Sequence, residues 1–252
     1  MNERQAEILD VLSRRGKASV RELAKKFRVN AMTIRRDLSA LESEGRLVRT
    51  HGGAMISKMG VVEFAFAEKA RKRMAEKKAI AAAVARRVAP GSTISLDTGT
   101  TTLEVARAIA GIEGLTVLTS SLAIASVLYA RDNIKLVLLG GTVRRHSPDL
   151  SGPLTEENLR KFRVSTAILG ADGISPDGLF TFDEGVSRVS RAMIAGAAET
   201  VVVADSSKFG VTAFVKFADW AEISCLFTDS EVPPAVRGWL EKKAREVIYA
   251  RP

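Results

Sequence analysis

The sequence predicts an α/β protein in two parts, a small helical head with a short β-ribbon joined to a larger α/β domain whose sheet is mostly parallel. Three observations lead there. From Gly91 onward, short apolar runs rich in Val, Ile and Leu alternate with stretches of helical length, the pattern of strand–helix–strand units. Ahead of them lie three compact helical periods, each closed or opened by a glycine, serine or asparagine. The charge is lopsided as well: residues 1–60 carry 13 Lys and Arg against 7 Asp and Glu, residues 61–90 carry 8 against 3, and residues 91–252 carry 17 against 19. The whole excess of +9 therefore sits in the first third, as expected of a polyanion-binding module attached to a near-neutral one.

Several classes are excluded at once. The longest uninterrupted apolar run, residues 79–85, is far short of a bilayer span, and no apolar secretory core follows Met1. One cysteine, Cys225, and two histidines leave no intrachain disulfide and no Cys/His metal site. The expectation is a cytoplasmic protein with no membrane, metal or cofactor association.

In the head, Ala6, Ile8, Leu9, Val11 and Leu12 share one face of a helix over residues 3–15, which Gly16 ends. Ser19 and Glu22 form a capping box that opens a second helix burying Val20, Leu23, Ala24 and Phe27. Asn30 caps a third helix over residues 31–44, which buries Ile34, Leu38 and Leu41 and presents Met32, Thr33, Arg35, Arg36 and Ser39. Gly45 stops it, and residues 46–54 read as a β-ribbon. Two short helices joined by a three-residue turn are the helix-turn-helix arrangement that places its second helix in the DNA major groove. Arg35 and Arg36 suit that task, since a guanidinium fork pairs with guanine O6 and N7 or grips a phosphate.

Thr33-Ile34-Arg35-Arg36-Asp37-Leu38, followed by Gly45, Arg49 and His51-Gly52-Gly53-Ala54, resembles the winged helix-turn-helix of the DeoR family of bacterial transcriptional regulators. The resemblance implies that Thr33, Arg35 and Arg36 read a double-stranded DNA operator, while Arg46, Arg49 and His51 steady the wing on the phosphate backbone. It also casts Asp37 as a partner that orients the neighbouring arginines. A non-specific nucleic-acid binder using the basic third alone is the bland alternative, and it predicts binding indifferent to sequence and steeply weakened by salt.

Residues 55–75 lose clean periodicity and end in Lys69-Ala70-Arg71-Lys72-Arg73, which reads as an exposed, solvated connector. The alanine-rich run at residues 76–88 is expected to open the second domain and to pack against its symmetry mate. The expected organisation is thus 1–57 DNA-binding, 58–75 basic linker and 76–252 α/β domain. Strands follow at residues 93–96, 115–119, 134–139, 164–169, 200–204, 225–228 and 246–249, with helices at 102–110, 122–130, 187–199 and 234–245.

In such sheets ligands bind beyond the carboxyl ends of the strands. The loops there are Asp97-Thr98-Gly99-Thr100-Thr101-Thr102, Gly140-Gly141, Gly170-Ala171-Asp172-Gly173 and Asp205-Ser206-Ser207-Lys208. The first combines hydroxyls, a glycine and a helix start, the makings of a phosphate cradle. Neither a Walker loop nor a dinucleotide Gly-x-Gly-x-x-Gly is present.

Residues 76–230 resemble the sensor domain of the DeoR family, a Rossmann-like fold similar to ribose-5-phosphate isomerase. The resemblance implies a phosphorylated sugar or related metabolite as effector. Thr98, Gly99, Thr100, Thr101 and Thr102 would hold its phosphate with Lys208 as counter-cation, Gly140, Gly141 and Gly173 would line the site, and Asp97 and Asp172 would accept from sugar hydroxyls. Two departures stand out: Thr119-Ser120 replaces a common Thr-Asn, and Val186 occupies the place of a common glutamate, with Glu184 two residues earlier. The enzymatic alternative, an isomerase with an added DNA-binding domain, lacks its equipment. The isomerases carry Asp-Gly-Ala-Asp-Glu where this chain has Leu169-Gly170-Ala171-Asp172-Gly173, and loss of a general acid or base costs about 10²–10⁴ in rate. The expected protein is an operator-binding repressor of a sugar-metabolism operon, a homodimer or homotetramer because symmetric half-sites need paired heads.

Overall fold

The computed structural model describes residues 3–43, 46–50, 52–56, 66, 68–144, 147–211 and 213–251, with the side chains of residues 13–15, 43, 48 and 56 set aside. The chain forms two compact units, the first around residues 1–68 and the second around residues 69–144 and 148–252.

The first unit runs α1 (Glu3–Arg15), β1 (Lys17–Ser19), α2 (Val20–Phe27), α3 (Ala31–Ser43), β2 (Leu47–Thr50) and β3 (Gly53–Ile56). Its helices form where the periodicity places them. Ser19 Oγ accepts from the Glu22 amide at 3.2 Å while Glu22 Oε2 accepts from the Ser19 amide at 2.7 Å, so the capping box closes in both directions. Asn30 Oδ1 accepts from the Thr33 amide at 2.8 Å and opens α3. Ile8, Leu9, Leu12, Leu23, Ile34, Leu38, Leu41 and Leu47 bury together as one core. The ribbon has a third strand the sequence did not announce: β1 pairs with β3, Ala18 opposite Ala54, giving the antiparallel order β1-β3-β2. Three residues between two helices carry no alternation from which to read a strand.

The second unit contains α4 (Met74–Ala85), β4 (Thr93–Leu96), α5 (Thr100–Ile109), β5 (Leu115–Thr119), α6 (Leu122–Leu128), β6 (Ile134–Leu138), β7 (Thr142–Val143), β8 (Leu150–Ser151), α7 (Pro153–Arg160) and β9 (Val164–Leu169). It continues through β10 (Gly173–Ser175), β11 (Gly178–Thr181), α8 (Glu184–Ala195), β12 (Ala197–Val203), β13 (Val215–Ala218), β14 (Cys225–Asp229), α9 (Pro234–Lys243) and β15 (Val247–Ala250). Seven strands make one wholly parallel sheet in the order β15-β14-β12-β9-β4-β5-β6. The chain steps outward from β4 through β5 to β6, then returns to the other side of β4 and steps outward again from β9. The β4/β9 seam is therefore the point where the winding reverses, which is where open α/β sheets bind ligands.

Three expectations are corrected. The periodic reading ran a helix to residue 199, but α8 ends at Ala195 and Ala197 already pairs with Val164 in the sheet. Ala197, Ala198 and Glu199 are good helix formers overridden by that pairing. The alanine-rich helix spans Met74–Ala85, shorter at its end than residues 76–88 predicted, and packs against α5, β14 and β15 of its own chain, burying Ile80, Ala81, Ala83 and Val84 there. A small antiparallel sheet, β10-β11-β13, and the β7–β8 hairpin were absent from the sequence reading.

Candidate functional site

The DNA-facing candidates sit on α3 as its periodicity requires. With Ile34, Leu38 and Leu41 buried, Met32, Arg35, Arg36 and Ser39 are left exposed. Thr33 is half-buried and its hydroxyl donates to Asn30 Oδ1 at 2.9 Å, so part of its hydrogen-bonding capacity goes to the cap. Arg49, on β2, donates from Nη1 to Ser39 Oγ at 3.0 Å, and its amide donates to Glu42 Oε1 at 3.3 Å. The wing strand is thereby braced on α3. Arg46 is half-buried beside it, while His51 lies outside the described residues. Asp37 does not orient the neighbouring arginines. It is buried and accepts from Arg4 Nε at 2.6 Å, so it ties α3 to α1. Its partner stands 33 residues away in sequence, which local spacing cannot reveal.

In the second unit, the loops after β4, β6, β9 and β12 all leave the same edge of the sheet because the four strands are parallel. At the seam, the Asp97 amide donates to the Ile168 carbonyl at 2.9 Å and Asp97 Oδ2 accepts from the Gly170 amide at 3.1 Å. Asp97 is 3% exposed, and its Oδ1 finds no hydrogen-bond partner among the described residues. Burial pushes this carboxyl up to about 7, with the Thr98 and Gly170 amides opposing, Asp149 adding to the rise and Arg144 lowering it. Gly99, at φ 145°, is the N-cap of α5 and gives it no side-chain cap, so the first-turn amides of Thr100, Thr101 and Thr102 start without one. Thr98, Gly99 and Thr100 are half-exposed, whereas Thr101 and Thr102 are buried and Thr102 Oγ1 donates to the Gly99 carbonyl at 3.1 Å. Whatever Thr101 and Thr102 offer an anion is therefore backbone amide.

The remaining candidates divide. Gly141, at φ 127°, packs so closely that an added Cβ would stand 2.0 Å from Thr155 Oγ1 and 2.8 Å from the Ser151 carbonyl. Gly140 accepts from Thr155 Oγ1 through its carbonyl at 2.7 Å. The pair seats the β6 exit on α7. Gly173 is buried at the start of β10 against the Val211 backbone. Asp172 is half-buried and accepts from Thr181 Oγ1 at 3.1 Å, the Phe182 amide at 3.3 Å and Lys69 Nζ at 3.4 Å. Lys208 ends a short turn (Ser206–Lys208) begun by Asp205 and is half-buried. It stands close enough to Lys77 to depress that ammonium, which burial lowers most and Asp205 partly restores.

Sequence reasoning missed a charge cluster on this edge. Arg144 clamps Asp149 through two bonds of 2.5 and 2.7 Å and reaches Asp183 Oδ2 at 3.2 Å. Asp149 is 1% exposed, and Asp183 is the N-cap of α8, accepting from the Val186 amide at 2.9 Å. The hairpin is thus locked to the start of α8. The only hint in the sequence was the spacing of Arg144 and Asp149 across a turn. Glu184 does not turn toward this cluster: its exposed side chain pairs with Arg188 at 3.5 Å, one helical turn on. Among the described residues no group of His, Cys, Asp and Glu is arranged to hold a metal, and no helix is long and apolar enough to cross a membrane.

Comparison with known proteins agrees with both halves of this picture. Residues 4–59 match the DeoR-like helix-turn-helix domain and residues 72–230 match the DeoR C terminal sensor domain. The chain is 35% identical over 248 residues to the HTH-type transcriptional repressor CsqR of Escherichia coli, covering 98% of this chain and 95% of that protein. It is 33% identical over 230 residues to the glycerol-3-phosphate regulon repressor of Escherichia coli, covering 91% of each. Among solved structures, ribose 5-phosphate isomerase A of Methanocaldococcus jannaschii is similar over 53% of each chain, at 20% identity and a TM-score of 0.39, a likeness too slight to carry chemistry.

Proposed function

The chain belongs to the DeoR family and is a DNA-binding transcriptional regulator, not an enzyme, and from that premise we propose that it represses a sugar-metabolism operon and is released from its operator by a phosphorylated sugar or related metabolite. The observation that carries the effector reading is the seam itself. At the reversal of the winding, the α5 N-terminus has no side-chain cap, and a buried carboxyl beside it has one oxygen without a hydrogen-bond partner among the described residues.

In this reading the amides of Thr98, Gly99, Thr100, Thr101 and Thr102, with the half-exposed hydroxyls of Thr98 and Thr100, hold the phosphate and Lys208 balances its charge. Asp97 and Asp172 meet the hydroxyls, with Gly140, Gly141 and Gly173 shaping the wall. On the head, Thr33, Arg35 and Arg36 read bases, while Arg46, Arg49 and His51 hold the backbone. Residues 1–57 form the reading head and 76–252 the sensor, joined by the linker 58–75, whose last residues from Lys69 on already belong to the second unit, and two or four copies present paired heads to a symmetric site in the cytoplasm. The named regulon of the glycerol-3-phosphate relative supports a phosphorylated metabolite.

A thermal-shift screen of the full chain against triose, pentose and hexose phosphates tests the effector. A cognate ligand at 100 times its dissociation constant stabilises the sensor by about 2.7 kcal/mol, and Thr100→Ala with Lys208→Ala removes that gain. A panel that leaves the wild-type transition unmoved overturns the effector reading.

A further inference from the structure

The chain enters the second unit through residues 68–73, and three cations fasten this segment. Lys69 Nζ reaches Asp172 Oδ1 at 3.4 Å. Lys77, 3% exposed on α4, turns its ammonium back onto the carbonyls of Lys69 and Lys72, the latter at 2.7 Å. Arg73 makes the largest set of contacts. Its guanidinium donates to Ser206 Oγ at 2.8 Å and pairs with Glu231 at 2.6 Å, Glu76 at 3.1 Å, and Asp205 and Asp229 at 3.5 Å each. Asp205 and Ser206 follow β12, while Asp229 ends β14 and Glu231 comes just after, so one side chain bridges the carboxyl ends of neighbouring strands. The backbone of Arg73 is unusual too. It sits in the left-handed region at φ 53°, where the helical residues 68–71 break into α4. A non-glycine residue stays in that conformation only where its surroundings over-determine it.

We propose that Arg73 is the positioning residue that couples the effector edge of the sensor to the segment leading into the DNA-binding head. The proposal rests on the effector reading given above. Lys208, the cation assigned there to the phosphate, lies two residues from Ser206 and three from Asp205, all in one short turn. A phosphate that draws Lys208 toward the start of α5 shifts or stiffens this turn. Arg73, bound to both Asp205 and Ser206, carries the change into the elbow at residues 72–73. An effector controls DNA binding only through contacts that differ between the two states, and this clasp supplies them. Four of the five contacts, to Ser206, Glu231, Glu76 and Asp229, converge on Nη2 and the fifth, to Asp205, is made by Nε, so two nitrogens of one planar cation face the acids of both strand ends.

Hydrogen exchange of the full chain, with and without the triose, pentose or hexose phosphate that gives the largest thermal shift, tests the coupling. In the wild type, bound ligand changes exchange of the amides at residues 70–78 by about tenfold, in the range of ordinary allosteric coupling. Arg73→Gly tolerates the left-handed backbone yet loses the clasp: the thermal shift persists, exchange at 70–78 rises, and the ligand no longer alters it. Arg73→Lys keeps the charge without the fork and falls between the two. If Arg73→Gly does not fold, Arg73→Lys and the wild type carry the test. Ligand bound to the wild type with no change at 70–78, or either variant responding as the wild type does, overturns the Arg73 proposal and leaves the effector reading standing. A panel in which nothing binds overturns both.

Discussion

In the N-terminal unit, the exposed arginines of α3 and the Asn30 cap that starts the helix lie within a few residues of one another, and their place on the outward face is set by the local period of Ile34, Leu38 and Leu41. In the second unit, the Asp97 carboxylate is met by an amide 73 positions along the chain and feels Asp149 and Arg144 from a separate hairpin. The first unit presents charges outward on a scaffold held by an apolar core, so its surface and its stability are nearly separate properties. The second gathers buried or half-buried charges from four loops, so there the site and the fold are the same set of interactions. Removing the exposed Arg35 or Arg36 from the head should leave its fold alone, whereas altering Asp97 or Asp205 in the second unit should move both site and fold.

The largest effect expected is Leu38→Ala. Leu38 is fully buried in the head, and its truncation should cost about 2–5 kcal/mol. In calorimetry of the full chain the transition of the first unit should fall while that of the second stays in place. Equal displacement of both would break the separation drawn here.

Next comes Asp97→Asn, read through pH. The Asp97 carboxyl is raised by burial to about 7, so the folded protein holds a proton that the unfolded chain releases near 4. Its contribution is fully present below the unfolded value and is lost as pH rises through the folded one. Asp97's own contribution should therefore decline between about pH 4 and pH 7, on the order of 4 kcal/mol at most, so the wild type should lose stability relative to Asp97→Asn across this range. Urea midpoints across this range are the measurement. A slope unchanged in the variant would assign the dependence elsewhere.

The contrast between the units also governs how much could be read before folding. The capping box of Ser19 and Glu22, the Asn30 cap and the buried face of α3 were legible because each is decided within one or two helical turns. The parallel sheet was legible because strands buried on both faces are near-continuous apolar runs. Asp37 and Arg4, β1 with β3, and β11 with β13 were not, since each joins partners far apart in sequence with no local mark of the pairing. Arg73 was hidden for a further reason. In a run of basic residues it reads as one more solvated charge, and only the folded sheet brings Asp205 and Asp229 to it. The glycine-rich loops were located correctly at one edge, yet Gly141 proves to be packed against α7, a role that composition does not distinguish from ligand contact.

In the proposed function a small anion at the sensor edge controls the grip of the head on DNA. Fluorescence anisotropy with labelled DNA from upstream of the chain's own transcription unit, titrated with and without the sugar phosphate that shifts the thermal transition, tests it most directly. Saturating ligand should weaken operator affinity by about 5–150-fold, and Arg35→Ala should abolish operator binding while leaving the ligand-induced thermal shift unchanged. A ligand-saturated protein that holds this DNA as tightly as the ligand-free one would contradict it.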